Sequence, residues 1–259
     1  MNNYILLADI GNTTIKLGLA NETGIAFSIS LPTKSLYTAD SLGLTLLQFL
    51  SLQHIKKVKT ISLCSVVPEL GKIFYQACQK YLHAAPKIFP LDFSVPLGNQ
   101  YANPQEVGAD RLMGAYAARM LYPKSKSIIC VDYGTATTFD CIVEMDYLGG
   151  LICPGLYSSL HALSQGTAKL PHITLNFDQN TPLIGKDTVT SMNHGFIFSF
   201  VAVTDGLCEK LAAQLPAPLC VIATGGYARE ISKLSNKIDV IQQDLILEGL
   251  RLASSSLLA

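Results

Sequence analysis

The chain has 259 residues, 49% of them hydrophobic and 15% charged, and its 19 basic and 19 acidic side chains cancel. That composition excludes a disordered chain, and the length suits one large domain or two halves sharing a fold. Zero net charge argues against a nucleic-acid surface. The densest basic cluster, Lys56-Lys57-Val58-Lys59, is short and reads as a solvated approach to a strand.

Apolar stretches such as Phe196–Val203 are too short to cross a bilayer. The N-terminus has no basic region ahead of its apolar run and meets an Asp at position 9, which is not the pattern of a secretory signal. Seven cysteines, widely spaced and without a CxxC, read as small buried hydrophobes in a reducing cytoplasm. The five histidines show no metal-ligand spacing, so no structural zinc is expected.

In chain order, residues 4–10 form an apolar strand ending in Asp-Ile-Gly-Asn, and strands 14–20 and 25–31 follow around the turn 21–24. Residues 39–52 place Leu42, Leu46, Phe49 and Leu50 on one helical face. A strand is expected at 58–64, then a helix from Pro68 to about His83, since Pro suits a first helical position. A short strand at 87–91 leads through a Pro-, Gly- and Asn-rich loop to a helix at about 106–121. Strands follow at 127–132, 137–144 and 148–153, then a mixed segment with loops at 155–186. A long apolar helix covers about 188–214, with bends expected at Gly195 or Gly206. A strand at 219–223 ends in Thr-Gly-Gly, and a last helix covers about 244–257. The alternation argues an α/β fold.

Asp9-Ile10-Gly11-Asn12-Thr13-Thr14 and Asp132-Tyr133-Gly134-Thr135-Ala136-Thr137 match at an offset of 123 residues, with identities at Asp, Gly and the final Thr. Each copy is a strand–turn–strand. Its Gly allows backbone N–H groups close approach to a ligand, its Asn and Thr add neutral donors, and its Asp ends a strand with a carboxylate. Either copy alone reads best as an ordinary hairpin. Two copies at equivalent points favour a pair of turns gripping a polyphosphate and its metal ion. Rival nucleotide and hydrolase motifs are absent: there is no GxxxxGK[ST], no GxGxxG and no GxSxG.

These paired turns resemble the phosphate motifs of the acetate-and-sugar-kinase, heat-shock-chaperone and actin superfamily. More narrowly, the chain resembles the type III pantothenate kinases. The resemblance is carried by Asp9–Lys16 (DIGNTTIK), Ser65–Pro68 (SVVP), Tyr101…Pro104…Gly108-Ala109-Asp110-Arg111, Val131–Thr138 (VDYGTATT), Gly149–Leu156 (GGLICPGL), Thr167–Pro171 (TAKLP), Ile184–Gly195 (IGKDTVTSMNHG) and Thr224–Gly226 (TGG), in the family's order. One departure is a tight Glu144-Met145-Asp146 connection without a turn Gly.

The resemblance implies duplicated actin-like (ribonuclease H-like) halves with mixed sheets flanked by helices. Residues 1–122 would hold the first phosphate turn and the acceptor-site helix. Residues 123–259 would hold the second turn, the adenosine motif at Gly225-Gly226 and a dimer helix. The implied reaction is transfer of the ATP γ-phosphoryl group to the primary hydroxyl of pantothenate, the first step of coenzyme A synthesis. By the resemblance, Asp9, Ile10, Gly11, Asn12, Thr13, Thr14, Ile15 and Lys16 form the first ATP segment, and Thr135 bonds an ATP phosphate from the second. Lys16 also reads as a solvated strand residue.

Asp110, in a helix's first turn, reads from the helix alone as a complement to the dipole. The Gly-Ala-Asp-Arg context makes it the expected catalytic base, orienting the hydroxyl and taking its proton late. Gly108, Ala109, Asp110, Arg111, Tyr101 and Thr188 are the implied substrate-binding residues. Arg111 otherwise reads as a surface ion pair, Tyr101 as a loop aromatic over the core and Thr188 as a helix cap. Asp9 is expected to hold Mg²⁺ (or Mn²⁺) through water, and Asp132 to hold K⁺ or NH₄⁺. Met192, Phe196, Phe198 and Phe200 read as packing residues, and His194 receives no role.

Two other readings stand beside this one. The first is a related kinase acting on a sugar or acetate, for whose inserted substrate domains this chain has little room. The second is a non-catalytic ATP-binding regulatory protein derived from the kinase, against which the intact Asp9, Asp110, Arg111 and Asp132 argue. A helix through SMNHGFIFSFVAV is too apolar for a solvent face, so a homodimer interface is expected there.

Overall fold

The computed structural model describes residues 4–177 and 182–256. The parts of the expected 155–186 and 244–257 segments at 178–181 and 257 lie outside the described residues. The strands are β1 (Ile5–Ile10), β2 (Thr14–Asn21), β3 (Gly24–Pro32), β4 (Ile61–Ser65), β5 (Lys87–Phe89), β6 (Gly98–Asn99), β7 (Ser127–Tyr133), β8 (Ala136–Val143), β9 (Asp146–Pro154), β10 (Leu219–Gly225) and β11 (Val240–Ile241). The α-helices are α1 (Ala39–Leu52), α2 (Pro68–Ala77), α3 (Ala109–Leu121), α4 (Leu156–Gln165), α5 (Thr188–Ala212), α6 (Ala228–Ser232) and α7 (Leu245–Ser256).

The chain divides into two mixed α/β units. Among the described residues, the first holds 4–97, 102–117 and 244–256, and the second holds 98–101, 118–177 and 182–243. The boundary drawn at residue 122 from the sequence therefore differs from these units. The last helix packs with the first unit, because its apolar face (Leu247, Leu250, Ala253) meets Ile5, Leu7 and Ala20 there.

The first unit is a five-stranded sheet in the order β3-β2-β1-β4-β5. β2 is antiparallel to β1 and β3, whereas β4 runs parallel to β1 and β5. Alternation along β1 fills two cores. Leu6, Ala8 and Ile10 meet Leu42, Leu46 and Phe49 of α1 and Leu70 and Phe74 of α2. Ile5 and Leu7 meet Met113 of α3 and Leu247 and Leu250 of α7. Fully burying such a side chain contributes roughly 2 kcal/mol. Gly18 lets α7 lie close over β2, since a Cβ there would come 2.9 Å from Leu247 Cδ1. The hydroxyls of Ser62 and Ser254, both buried, lie 2.6 Å apart beneath the same helix.

The second unit's sheet runs β11-β10-β7-β8-β9-β6. Its first five strands, read from β9, repeat the order and pairing directions of the first sheet. Ile129, Val131 and Tyr133 of β7 pack with Phe139, Leu156, Cys208, Val221 and Ile231.

Several boundaries differ from the sequence reading. β4 begins at Ile61 rather than 58: Lys59 N–H reaches the Tyr4 carbonyl (2.7 Å) and Leu6 N–H the Thr60 carbonyl (3.0 Å), but the paired register with β1 starts at Leu6 and Ile61. The helix from Pro68 finishes in a π-helical turn, Cys78–Leu82, which His83 ends in the left-handed region (φ 53°). The expected 106–121 helix is split: a 3-10 turn at Pro104–Glu106 precedes extended Val107, which is buried, before α3. α5 is one continuous helix with no break at Gly195 or Gly206. The short elements β6, α6 and β11 carry too few residues for a periodic signal.

Leu247 is fully buried, so Leu247→Ala is expected to cost about 3 kcal/mol in urea unfolding. A loss under about 1 kcal/mol would show that α7 is not part of this core.

Candidate active site

By strand alternation Asp9 falls on the face of β1 covered by α3 and α7, one residue before the strand ends. Directly across from it are Lys16 on β2 and Cys64 on β4. The turn between β1 and β2 is closed by a hydrogen bond from Gly11 N–H to the Thr14 carbonyl (3.0 Å). Thr33 clamps it from outside: its N–H donates to the Thr13 carbonyl (2.9 Å) and its hydroxyl to the Gly11 carbonyl (2.7 Å). Asn12, Thr13 and Thr14 are exposed at the tip. Thr33 was missed from the sequence, because only strand pairing brings it back to the turn.

Asp110 sits in the first turn of α3. Its Oδ1 accepts the backbone N–H of Arg111 (2.8 Å). The carboxylate folds back over Gly108, where a Cβ would come 2.4 Å from Oδ1. A side chain at position 108 would therefore displace the Asp110 carboxylate from this position. Burial pushes the Cys64 thiol well above its ordinary pKa, and the carboxylates of Asp9 and then Asp110 push it further. One buried thiol thus feels both acids. Cys64 had been read only as a small hydrophobe. Arg111 is half-buried.

In the second unit, Asp132 lies across from Thr138 on β8 and Thr224 on β10. Here the turn is one residue shorter, and Gly134 N–H reaches the Ala136 carbonyl (3.1 Å). That single residue changes the register. Thr14 shares a face with Asp9, but Thr137, its match in the repeat, opposes Tyr133 on the face away from Asp132. Thr138 takes the place beside the carboxylate.

Two glycines shape this turn. Gly225 (φ +89°) lets β10 pass Asp132, since a Cβ would come 2.4 Å from Oδ1. Gly155 lies under Thr135, where a Cβ would come 2.1 Å from its carbonyl oxygen, which also accepts the Ser158 hydroxyl (2.8 Å).

Asp140, buried within β8, was also missed. Its carboxylate accepts the Tyr147 hydroxyl (2.9 Å) and the Thr138 hydroxyl (3.3 Å). The only sequence signal was an acid inside the apolar run Phe139–Val143. Tyr101 extends this network. Its ring lies 6.4 Å from that of Tyr147 and rests against Gly149 (φ +118°).

Thr188 opens α5 but is not the cap. Asp187 is, accepting Thr190 N–H (2.9 Å), and that bond holds its carboxyl below the usual range. Thr188 lines an open groove of about 720 Å³ with Leu163, Lys186, Met192 and Phe196; Tyr101, Asp132 and Thr135 are not among its lining residues.

A family model described as type III pantothenate kinase matches residues 5–210. A type III pantothenate kinase of Nitratidesulfovibrio vulgaris (strain DSM 19637 / Miyazaki F) is 49% identical over 254 residues, 97% of each chain. One from Lawsonia intracellularis is 48% identical over 257 residues, 97% of this chain and 96% of that one. The chain belongs to the type III pantothenate kinase family.

Pantothenate kinase activity follows: the protein phosphorylates pantothenate with ATP in coenzyme A biosynthesis. The sugar-kinase and regulatory readings give way to it. Among solved structures, ethanolamine utilization protein EutJ from Carboxydothermus hydrogenoformans aligns with a TM-score of 0.57 at 14% identity, over 98% of this chain and 90% of that one. At that identity the likeness shows the fold alone, mixed α/β sheets flanked by helices.

The donors fit the hard cation that a kinase of this family implies. Asp9 offers a carboxylate oxygen at a strand end. Among the described residues no three His, Cys, Asp or Glu side chains gather into a cage. Mg²⁺ suits such a site, because it keeps most of its waters and takes few protein ligands.

Only a thiolate attacks alkylating reagents readily. In native protein at pH 8, iodoacetamide should therefore modify half-exposed Cys153 first, and Cys64 only on unfolding. Peptide mass mapping reads the order, and early Cys64 labelling would contradict its burial on β4.

Proposed function

We propose that Asp110 is the catalytic base of pantothenate phosphorylation and that the first turn, Asp9–Lys16, binds the ATP phosphates. The observation carrying this is that Asp9 stands opposite Cys64 on the face of β1 covered by α3, the helix whose first turn holds Asp110. A metal-binding acid and a base in one neighbourhood is what phosphoryl transfer to an alcohol needs.

Asp110 orients the primary hydroxyl of pantothenate and accepts its proton as the oxygen bonds to the γ-phosphorus; the bond to the β-γ bridging oxygen breaks, and ADP leaves. The loose transition state needs little base strength, so positioning and charge neutralisation supply most of the acceleration. Mg²⁺, held through water at Asp9, would offset phosphate charge. Thr135 bonds an ATP phosphate, supported by the rigid seat that Gly155 and Ser158 give its carbonyl. Gly108, Ala109, Arg111, Tyr101 and Thr188 bind pantothenate. The Arg111 guanidinium suits a carboxylate or phosphoryl oxygen.

Asp132 holds K⁺ or NH₄⁺, a reading supported by the cross-strand hydroxyl residues Thr138 and Thr224. Duplicated actin-like halves are supported by the repeated strand order. A homodimer through α5 is supported by half-exposed Val189 and Val203, by Tyr157 and Leu163 exposed on α4, and by Gly195 and Gly206, where an added Cβ would meet nothing within 4 Å. No described helix is long and apolar enough to cross a membrane, and a cytoplasmic location is part of this reading.

The test is coupled ADP release with pantothenate, with and without K⁺. Asp110→Asn should fold and bind both substrates but lose about 10²-fold or more in kcat; near-normal turnover would remove Asp110 from the base role. Gly155→Ala should raise KM for ATP about ten-fold by displacing Thr135, with KM for pantothenate little changed. An unaltered KM for ATP would sink the Thr135 assignment.

A further inference from the structure

Lys16 faces two carboxylates. Asp9 is its directly opposed residue on β1, and residues so paired have Cβ atoms about 5 Å apart on one face of the sheet. The second is Asp244, whose Oδ1 lies 3.2 Å from Lys16 Nζ. Asp244 comes from the far end of the chain, at the N-terminus of α7, where its carbonyl accepts Glu248 N–H (2.8 Å). No sequence motif singled it out.

We infer that Asp244 is a positioning residue for ATP binding: it anchors the Lys16 ammonium at the first phosphate turn and keeps it from collapsing onto Asp9. A lysine ammonium rides on a flexible four-carbon stem, and fixing it costs rotamer entropy. α7 is rigidly seated. Leu245, Leu247 and Leu250 are fully buried, Leu247 presses on Gly18 two residues along β2 from Lys16, and Ser254 meets Ser62. An anchor on that helix end therefore holds the ammonium before nucleotide arrives.

Asp9 is the residue that the proposed function assigns to the hydrated metal, and an ammonium paired tightly to it would offset the charge the metal needs. Asp244 divides the attraction. With the ammonium held 3.2 Å from Asp244, less of its charge is spent on Asp9. Without Asp244, the carboxylate directly across the strands from Lys16 is that of Asp9.

The inference rests on the first turn binding ATP, and the test separates the two. Asn caps a helix about as well as Asp, so Asp244→Asn leaves the start of α7 intact while removing the charge. It is expected to weaken Mg·ATP binding about five-fold by calorimetry. The rise in KM for ATP and in the Mg²⁺ concentration for half-maximal rate should be similar. KM for pantothenate and kcat should stay within about two-fold, and Asp244→Glu should recover part of the loss. In a Lys16→Gln background, Asp244→Asn should add nothing, since the anchor then has nothing to hold.

Three results would overturn the inference. Lys16→Gln with unchanged ATP binding would remove Lys16 from the nucleotide site and the anchor with it. Lys16→Gln weakening ATP binding while Asp244→Asn does not, or does so equally in both backgrounds, would leave the turn assignment standing and dismiss Asp244 alone. A parallel rise of both KM values with a fall in Tm beyond about 5 °C would make Asp244 a scaffold residue.

Discussion

Strand β1 lies mid-sheet with helices on both faces, and its alternation decides where the first turn's chemistry falls. Leu6, Ala8 and Ile10 are committed to α1 and α2, which leaves Asp9 on the other face with Ile5 and Leu7. A one-residue slip of β1 against its neighbours would bury the carboxylate among leucines, which an ionised group does not survive without a partner. The apolar cores therefore do more than stabilise the unit. They hold one acid at a strand end, opposite Lys16 and Cys64, on the face toward which α3 presents Asp110.

That face is closed by parts of the chain remote from one another in sequence. α7 is the last helix, yet it rests on β1, β2 and β4 near the beginning. Its amphipathic pattern says only that one side is buried. Nothing local says against what. Gly18 and Ser62 have the same character, since each looks unremarkable until Leu247 and Ser254 are laid beside them. A helix seated this firmly at one turn's flank is suited to carry a fixed charge, and Asp244 is where it does so.

The two turns show what a sequence can and cannot disclose. Asp9, Gly11, Asp132 and Gly134 were legible because a tight turn and its strand-end acid are made by consecutive residues. The family motifs were legible for the same reason. The register was not. Matching Thr14 to Thr137 is correct residue by residue, but the second turn closes one residue sooner, and a period of two then sends Thr137 to the opposite face. Thr33, Cys64, Asp140 and Asp244 were invisible for a related reason: each joins its site through pairing or packing across the sheet. The strand at 58–64 overran because its ladder with β1 starts only at Leu6 and Ile61, with single bonds from Lys59 to Tyr4 and from Leu6 to Thr60 ahead of it.

Zero net charge hides an uneven balance among the motif residues. The motif residues hold three carboxylates, Asp9, Asp110 and Asp132, against Lys16 and Arg111, while ATP and pantothenate are both anions. Opposed anions at close range cost several kcal/mol unless cations intervene. The turns themselves carry Gly, Asn and Thr, which are neutral donors. A turn lined with lysines would hold ADP nearly as well as ATP, and such uniform binding does not lower the barrier to transfer. A cation delivered with the nucleotide adds its charge where the γ-phosphoryl group moves and departs with the product. If the turns bind ATP as proposed, neutral turns beside a few fixed acids make charge neutralisation follow the reacting group rather than the resting protein.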